Sequence, residues 1–338
     1  MPTVLVTGGA GYIGSHVVLA LHDAGFQPVV LDDLSTGRRD MVPQDVAFVH
    51  GSCGNRGLVT DVIRGHGVTA VIHCAGRIRV DESVQDPLLY YHDNTSVSRT
   101  LIEACVRENI RGFLFSSTAA VYGNPAEIPV REDAPTCPIN PYGRSKLMVE
   151  DMLEDASSAY GLPSVAMRYF NVAGADPRGR AGQVIPFISH LIRRALHVHL
   201  GKIETLELFG TDYPTPDGTC IRDYIHVSDL ASAHVVCLRA LLEGGVGRVV
   251  NCGYGHGFSV REVLRAVEGV TGQPLPVVLA PRRPGDPATL IAHADRLTSE
   301  LGWTPQFDDL STIIRHALAW EGEPPFSRRG KTWQSDRP

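Results

Sequence analysis

The sequence predicts an α/β protein in which a doubly wound parallel sheet is followed by a smaller C-terminal α/β lobe. Three observations lead there. Short apolar runs alternate with helix-like stretches from the N-terminus to Tyr169. The first run passes directly into Gly8, Gly11 and Gly14, spaced G-x-x-G-x-x-G. Beyond Asn171, Gly and Pro become frequent and the periodic stretches shorten.

Taken in order, the apolar run before Gly8 is the first strand, and residues 12–24 carry a helical pattern. Residues 28–32 read as the second strand and 46–50 as the third; 58–64 form a helix and 70–74 the fourth strand, ending in Ala75-Gly76. A helix over 96–108 precedes a fifth strand at 112–117. Residues 124–141 are proline-rich and aperiodic, hence a loop; 142–160 form a helix with apolar Leu147, Val149, Met152 and Leu153, and 164–169 a sixth strand. The expected organisation is a nucleotide-binding unit at 1–171, to which some later elements return. It is followed by a second lobe at 172–322, with helices at 185–196, 229–242, 259–271 and 310–320, and a disordered polar tail at 323–338.

Composition narrows the classes. The chain has 338 residues, 43% hydrophobic and 20% charged, in the range of globular proteins. A net charge of −6 argues against a nucleic-acid footprint. The seven cysteines never approach C-x-x-C spacing, which predicts neither a metal site nor a disulfide framework. With no signal pattern and no long apolar run, the expectation is a cytoplasmic protein without a membrane segment.

The glycine stretch has the order strand, tight turn, helix. Glycines allow positive φ and close backbone approach, and the helix start at Tyr12 and Ile13 offers free N–H groups to a diphosphate. The second strand ends in Asp32, where an adenosine ribose would present hydroxyls. The turn Asp33-Leu34-Ser35-Thr36-Gly37 follows and would wrap the adenosine. Two acidic residues, with no cation before Arg38, favour NAD over NADP, because a 2′-phosphate beside Asp32 is repelled. Tyr142 and Lys146, four apart on a helix, project from one face. A lysine ammonium near a phenol favours the phenolate, making Tyr142 a candidate general base. Taken alone, Tyr-x-x-x-Lys is more often a solvated helix face. Ser116-Ser117-Thr118, closing a central strand, places a hydroxyl where nicotinamide and substrate would meet, with Thr118 the partner of the reacting oxygen.

From Val4 to about Trp320 the chain resembles the extended short-chain dehydrogenase/reductases, and within them the UDP-glucose 4-epimerase group. The resemblance is carried by Thr7-Gly-Gly-Ala-Gly-Tyr-Ile-Gly14, Phe115-Ser-Ser-Thr-Ala-Ala-Val-Tyr-Gly123, Pro141-Tyr-Gly-Arg-Ser-Lys146 and Arg168-Tyr-Phe-Asn171. Three later segments add to it: residues 209–219, Arg222-Asp-Tyr-Ile-His-Val227 and Pro281-Arg-Arg-Pro-Gly-Asp286. It implies a Rossmann-type fold and an isomerase of galactose metabolism. In such an enzyme Tyr142 exchanges a proton with the sugar 4-hydroxyl, while hydride moves to and from tightly bound NAD+ through a 4-keto intermediate.

The resemblance further implies that Ser52, Cys53, Cys74, Ala75, Gly76, Ile78, Asn94, Ser116 and Tyr169 join the glycines and Asp32 in holding NAD. The UDP-sugar would meet Thr118, Phe170, Asn171, Gln183, Val184, Leu208, Phe209, Tyr224 and Val260. Arg222 and Arg283 would bind its diphosphate, Asp286 its ribose and Phe209 its uracil. Several positions depart from the pattern. Ser52 replaces an acidic residue, Ile78 a lysine (with Arg77 and Arg79 beside it), Asp93 an asparagine of some members and Gln183 an asparagine. Leu290, smaller than tyrosine, leaves room for an N-acetylated sugar. Ala119-Ala120 stands where dehydratases carry Asp-Glu, so elimination of water lacks its acid and base. UDP-N-acetylhexosamine or UDP-pentose epimerisation and a non-catalytic NAD sensor are the competing functions. The resemblance also implies a homodimer paired through helices 96–108 and 142–160.

Overall fold

A computed structural model describes residues 1–184, 190–245, 248–283 and 285–322. The main sheet comprises β1 (Thr3–Thr7), β2 (Gln27–Asp32), β3 (Ala47–His50), β4 (Val68–His73), β5 (Phe113–Thr118), β6 (Ser164–Tyr169) and β7 (Arg248–Cys252). Its spatial order is β7-β6-β5-β4-β1-β2-β3 with every neighbouring pair parallel. The order reverses between β1 and β4, so a crevice opens beyond their carboxyl ends.

The strands read as continuous apolar runs because both faces are covered. Val4 and Val6 of β1 enter the core beneath α1 (Tyr12–Asp23), while Leu5 enters the opposite core beneath α2 (Arg56–His66), α3 (Val97–Arg107) and α4 (Pro141–Tyr160). α4 has clear punctuation: the Asn140 side chain accepts from Gly143 N–H at 2.8 Å, Pro141 opens the first turn, and Gly161 closes it with φ +69°.

The second lobe gathers α5 (Leu191–His199), α7 (Val260–Thr271) and α8 (Leu310–Gly322) around its own core, beside the parallel pair Leu206–Phe209 and Val277–Ala280. Between the lobes the chain returns to the sheet: α6 (Val227–Leu242) contributes Leu230, Val235 and Leu238 to the core beneath α1, and β7 extends the sheet edge. Asp223 ties the returning segments together, accepting from the backbone N–H groups of Tyr254, Gly255 and Ala292.

One region differs from the sequence expectation. The stretch before α3 folds into short helices Val80–Gln85 and Pro87–Tyr90 and a π-turn at Tyr91–Ser96, so α3 starts at Val97. Asp86 caps the second of these through Leu89 N–H, and Ser98 Oγ donates to the Asn94 carbonyl, loosening the regular helical ladder there. The helix expected at 185–196 begins, within the described residues, at Leu191, and residues 185–189 and the tail 323–338 lie outside them.

Candidate active site

The glycine turn is pressed into the switch point. Gly8 has φ +71°, and a Cβ there would lie 2.6 Å from Ala75 N; a Cβ on Gly14 would lie 2.1 Å from the Gly8 carbonyl oxygen. Only glycine lets β1, α1 and the end of β4 close together. Gly11 precedes α1 without a side-chain cap, and Tyr12, Ile13 and Gly14 of the helix's first turn line the crevice. Asp32 accepts from Ala10 N–H at 2.9 Å and Leu34 N–H at 2.8 Å, and Asp33 from Ser35 N–H at 2.9 Å. Burial raises the Asp32 carboxyl above the usual range, against those two hydrogen bonds.

A cavity of about 600 Å³ runs from this turn to the second lobe. One end is lined by Gly8, Gly11, Tyr12, Ile13, Gly14, Asp32, Asp33, Ser35, Thr36, Ser52, Cys53, Cys74, Ala75, Gly76 and Ile78. The other is lined by Ser116, Thr118, Tyr142, Lys146, Tyr169, Phe170, Asn171, Arg222, Asp286 and Leu290. Three expected contacts, Leu34, Asn94 and Gly37, act from behind the wall; Leu34 packs against the core beneath α1. Asn94 is buried and braces the loop after β4, accepting from Arg77 N–H at 2.7 Å and donating to the Arg77 carbonyl at 3.1 Å and to Ser145 Oγ at 3.0 Å. Gly37 lies so close to Ala10 that a Cβ would be 2.8 Å from its carbonyl carbon.

At the end of β5, Thr118 Oγ accepts from Ala120 N–H at 3.1 Å, and its hydroxyl faces the Tyr142 phenol closely enough to favour the phenolate. Lys146 is buried and donates to the Ser116 carbonyl at 3.0 Å, its ammonium 4.9 Å above the Phe115 ring. Burial brings its pKa down to about 8, although nearby Cys74 and Cys53 oppose the shift. Burial also raises the Tyr142 phenol, with Thr118 pulling the other way. The pair thus differs from the sequence expectation in two respects: the lysine's hydrogen bond goes to the strand carbonyl, and the phenol lies above its ordinary range.

The arginines beside Ile78 are engaged. Arg77 Nε lies 2.5 Å from Asp93 and its Nη1 3.7 Å from Glu82, while Arg79 pairs with Asp81 at 2.5 Å. Ser52 accepts from Gly54 N–H at 3.1 Å.

On the second lobe, Arg222 is buried, with Nη1 donating to the Ile221 carbonyl at 2.9 Å and Nη2 3.7 Å from Asp286. The Arg283 guanidinium lies 3.9 Å over the Phe209 ring. Leu208 and Tyr224 are buried in the second lobe's core, with Val260 packed against it, and Val184 packs near Trp320. The Gln183 amide is hydrogen-bonded to His190, and the His190 ring lines the cavity. His190 and Glu82 line the cavity without having been singled out from sequence; His190 stands just before α5 and Glu82 on the six-residue helix Val80–Gln85, too short to carry a periodic pattern. Among the described residues there is no cluster of three or more potential metal ligands, and no helix is long and apolar enough to cross a membrane.

Residues 4–253 match the model of the NAD dependent epimerase/dehydratase family. The chain belongs to that family. A UDP-glucose 4-epimerase of Azospirillum brasilense is 59% identical over 320 residues, 95% of this chain and 92% of that protein. The crystal structure of UDP-glucose 4-epimerase from Brucella ovis in complex with NAD is 44% identical, with a TM-score of 0.91, covering 94% of this chain and 98% of that one. The UDP-glucose 4-epimerase from Stenotrophomonas maltophila, with bound NAD and formylated UDP-arabinopyranose, is 38% identical with a TM-score of 0.92, covering 98% and 100%. Membership of the epimerase/dehydratase family accounts for the cradle at the switch point and for the hydroxyl, phenol and ammonium gathered at the end of β5.

Proposed function

We propose that this chain interconverts UDP-glucose and UDP-galactose by NAD-dependent inversion at C4. The observation that carries the reading is that Thr118, Tyr142 and Lys146 meet in one cavity with the glycine turn and Arg222. The NAD site fits the residues present: the Gly8 and Gly14 surfaces admit no Cβ, the α1 N-terminus is uncapped, and the Asp32 carboxylate reaches the same wall. Gly8, Gly11, Asp32, Ser116, Lys146 and Tyr169 would hold the cofactor. When bound, NAD+ supplies a reversible hydride acceptor and a positive ring charge that favours the phenolate.

Tyr142 then takes the proton of the sugar 4-hydroxyl and, once the 4-keto sugar has turned to present the other face of C4 for return of the hydride, gives the proton back to the C4 oxygen. Thr118 holds the reacting oxygen, and Arg222 and Arg283 bind the diphosphate oxygens. Ala119-Ala120 supplies no acid or base for elimination, which favours epimerisation over dehydration. Leu290 lines the cavity, which supports turnover of UDP-N-acetylhexosamines as well. We further propose a homodimer paired through α3 and α4, with its residence in the cytoplasm. The test is incubation with UDP-galactose, UDP-GlcNAc and UDP-arabinose without added NAD. UDP-glucose formed from UDP-galactose supports the reading; no epimer from any of the three overturns it in favour of a non-catalytic NAD sensor.

A further inference from the structure

We infer that Glu150 and Arg168 are positioning residues for the phenol and ammonium at the active site, an inference that rests on the proposed epimerisation. Tyr142, Lys146 and Glu150 succeed one another at intervals of four along α4, so they share one face of the helix. Each engages β5 where its residues bear hydroxyls: Tyr142 meets Thr118, Lys146 donates to the Ser116 carbonyl, and Glu150 accepts from Ser117 Oγ. Successive β5 residues point to opposite faces of the sheet, so Ser117 turns toward α4.

Glu150 is also the anchor of a buried ion pair. Arg168 of β6 donates Nε at 3.1 Å and Nη2 at 2.6 Å to its carboxylate, and both side chains are 6% exposed. The guanidinium is confined further by the Glu132 carbonyl, 3.2 Å from Nη1, and by the Tyr122 ring, 4.7 Å from its centre. A buried pair is weak evidence for stability, since desolvation offsets the attraction, but its hydrogen bonds fix geometry. Here they fix the rotation and height of α4 against β5 one turn beyond Lys146. A helix free to turn or slide would carry Tyr142 away from Thr118, and small misplacement of a reacting group lowers rate steeply.

The test compares Glu150→Gln, Arg168→Lys and the apolar double variant Glu150→Leu/Arg168→Met with wild type. Measurements are kcat, KM for UDP-galactose, the pH profile of kcat, retained NAD and thermal midpoint. The expected result is a kcat at least tenfold lower and a displaced pH profile, with KM within about threefold of wild type and NAD retained. The double variant, which leaves no unpaired buried charge, is expected to stay folded and still show the kcat loss. Wild-type kcat and pH profile in the folded double variant would overturn the inference while leaving the epimerase reading intact. Absence of turnover in wild type would overturn that reading and this inference with it.

Discussion

The Lys146 ammonium is hydrogen-bonded at 3.0 Å to the carbonyl oxygen of Ser116. That contact anchors a buried cation on the central strand, and burial lowers its pKa from an ordinary value of about 10.4 to about 8. The ammonium is therefore complete below about pH 7 and is lost as pH rises through 8. With the charge gone, the ammonium that Lys146 would offer to a bound cofactor, and its support for a phenolate on Tyr142, would go with it. Affinity of the NAD-free protein for NAD is expected to weaken severalfold between pH 7 and 9, and Lys146→Met to bind weakly with no such dependence. Fluorescence titration across this range checks the prediction; equal slopes in the two proteins would refute it.

Tyr142→Phe removes the phenolic oxygen but keeps the ring, which meets Tyr90 edge-on at 6.4 Å between centroids. Packing is therefore conserved while the proton acceptor is lost. The expected outcome is a fall of about 10²- to 10⁴-fold in kcat on UDP-galactose, with NAD content and thermal midpoint close to wild type. A steady-state assay with coupled detection of UDP-glucose measures it.

The glycine turn, the six leading strands and the Tyr142–Lys146 pair were legible in the sequence because each follows from local spacing. An apolar run doubly covered, a turn that admits no Cβ, and two residues four apart on a helix all write themselves into a few adjacent positions. What the sequence concealed is long-range. That some later elements return to the first sheet was expected, but that these are α6 and β7 depends on packing between Leu230 and residues more than two hundred positions earlier. The engagement of Arg77 by Asp93 and Glu82 depends on a π-turn that no periodicity announces. The direction of the Tyr142 shift could not be read from the lysine four residues on, because burial, opposed by the Thr118 hydroxyl, sets it.

Glycine substitutions separate the two kinds of glycine. A Cβ at Gly14 would lie 2.1 Å from the Gly8 carbonyl oxygen and 2.8 Å from its carbon, both backbone atoms with no freedom to yield. Gly14→Ala is expected to destabilise the fold by about 3 kcal/mol and to lose retained NAD. Gly65, inside α2, has nothing within 4 Å of its would-be Cβ. Gly65→Ala is expected to stabilise by about 0.5–1 kcal/mol through helix propensity. Urea denaturation of both variants beside wild type gives the comparison.

Acid is expected to unfold the protein through histidines that the fold keeps neutral. His16, His73, His226 and His234 are buried, and burial lowers their pKa values to about 4, 3, 3 and 4. Their partners also resist protonation. His226 Nδ1 accepts from Ser228 N–H at 3.0 Å, and His234, whose Nδ1 donates to the Leu230 carbonyl at 2.8 Å, offers Nε2 to the Tyr169 hydroxyl. In the unfolded chain these rings take up protons near pH 6.5, so the unfolded state binds more protons below that value. Their contribution to stability is complete above about pH 6.5 and is lost as pH falls toward 4. Asp223, raised to about 6 by burial, works in the opposite direction, gaining stability as pH falls through 6, and Asp32 and Asp229, also raised by burial, act in the same sense; these carboxyls offset part of the loss from the four histidines. The thermal midpoint is expected to drop steeply between pH 6.5 and 4.5. Over the same range the ring proton resonances of these four histidines should hold their neutral positions while the protein remains folded. A buried ring titrating near 6.5 in the folded protein would remove that residue from the account, and four such titrations would defeat it.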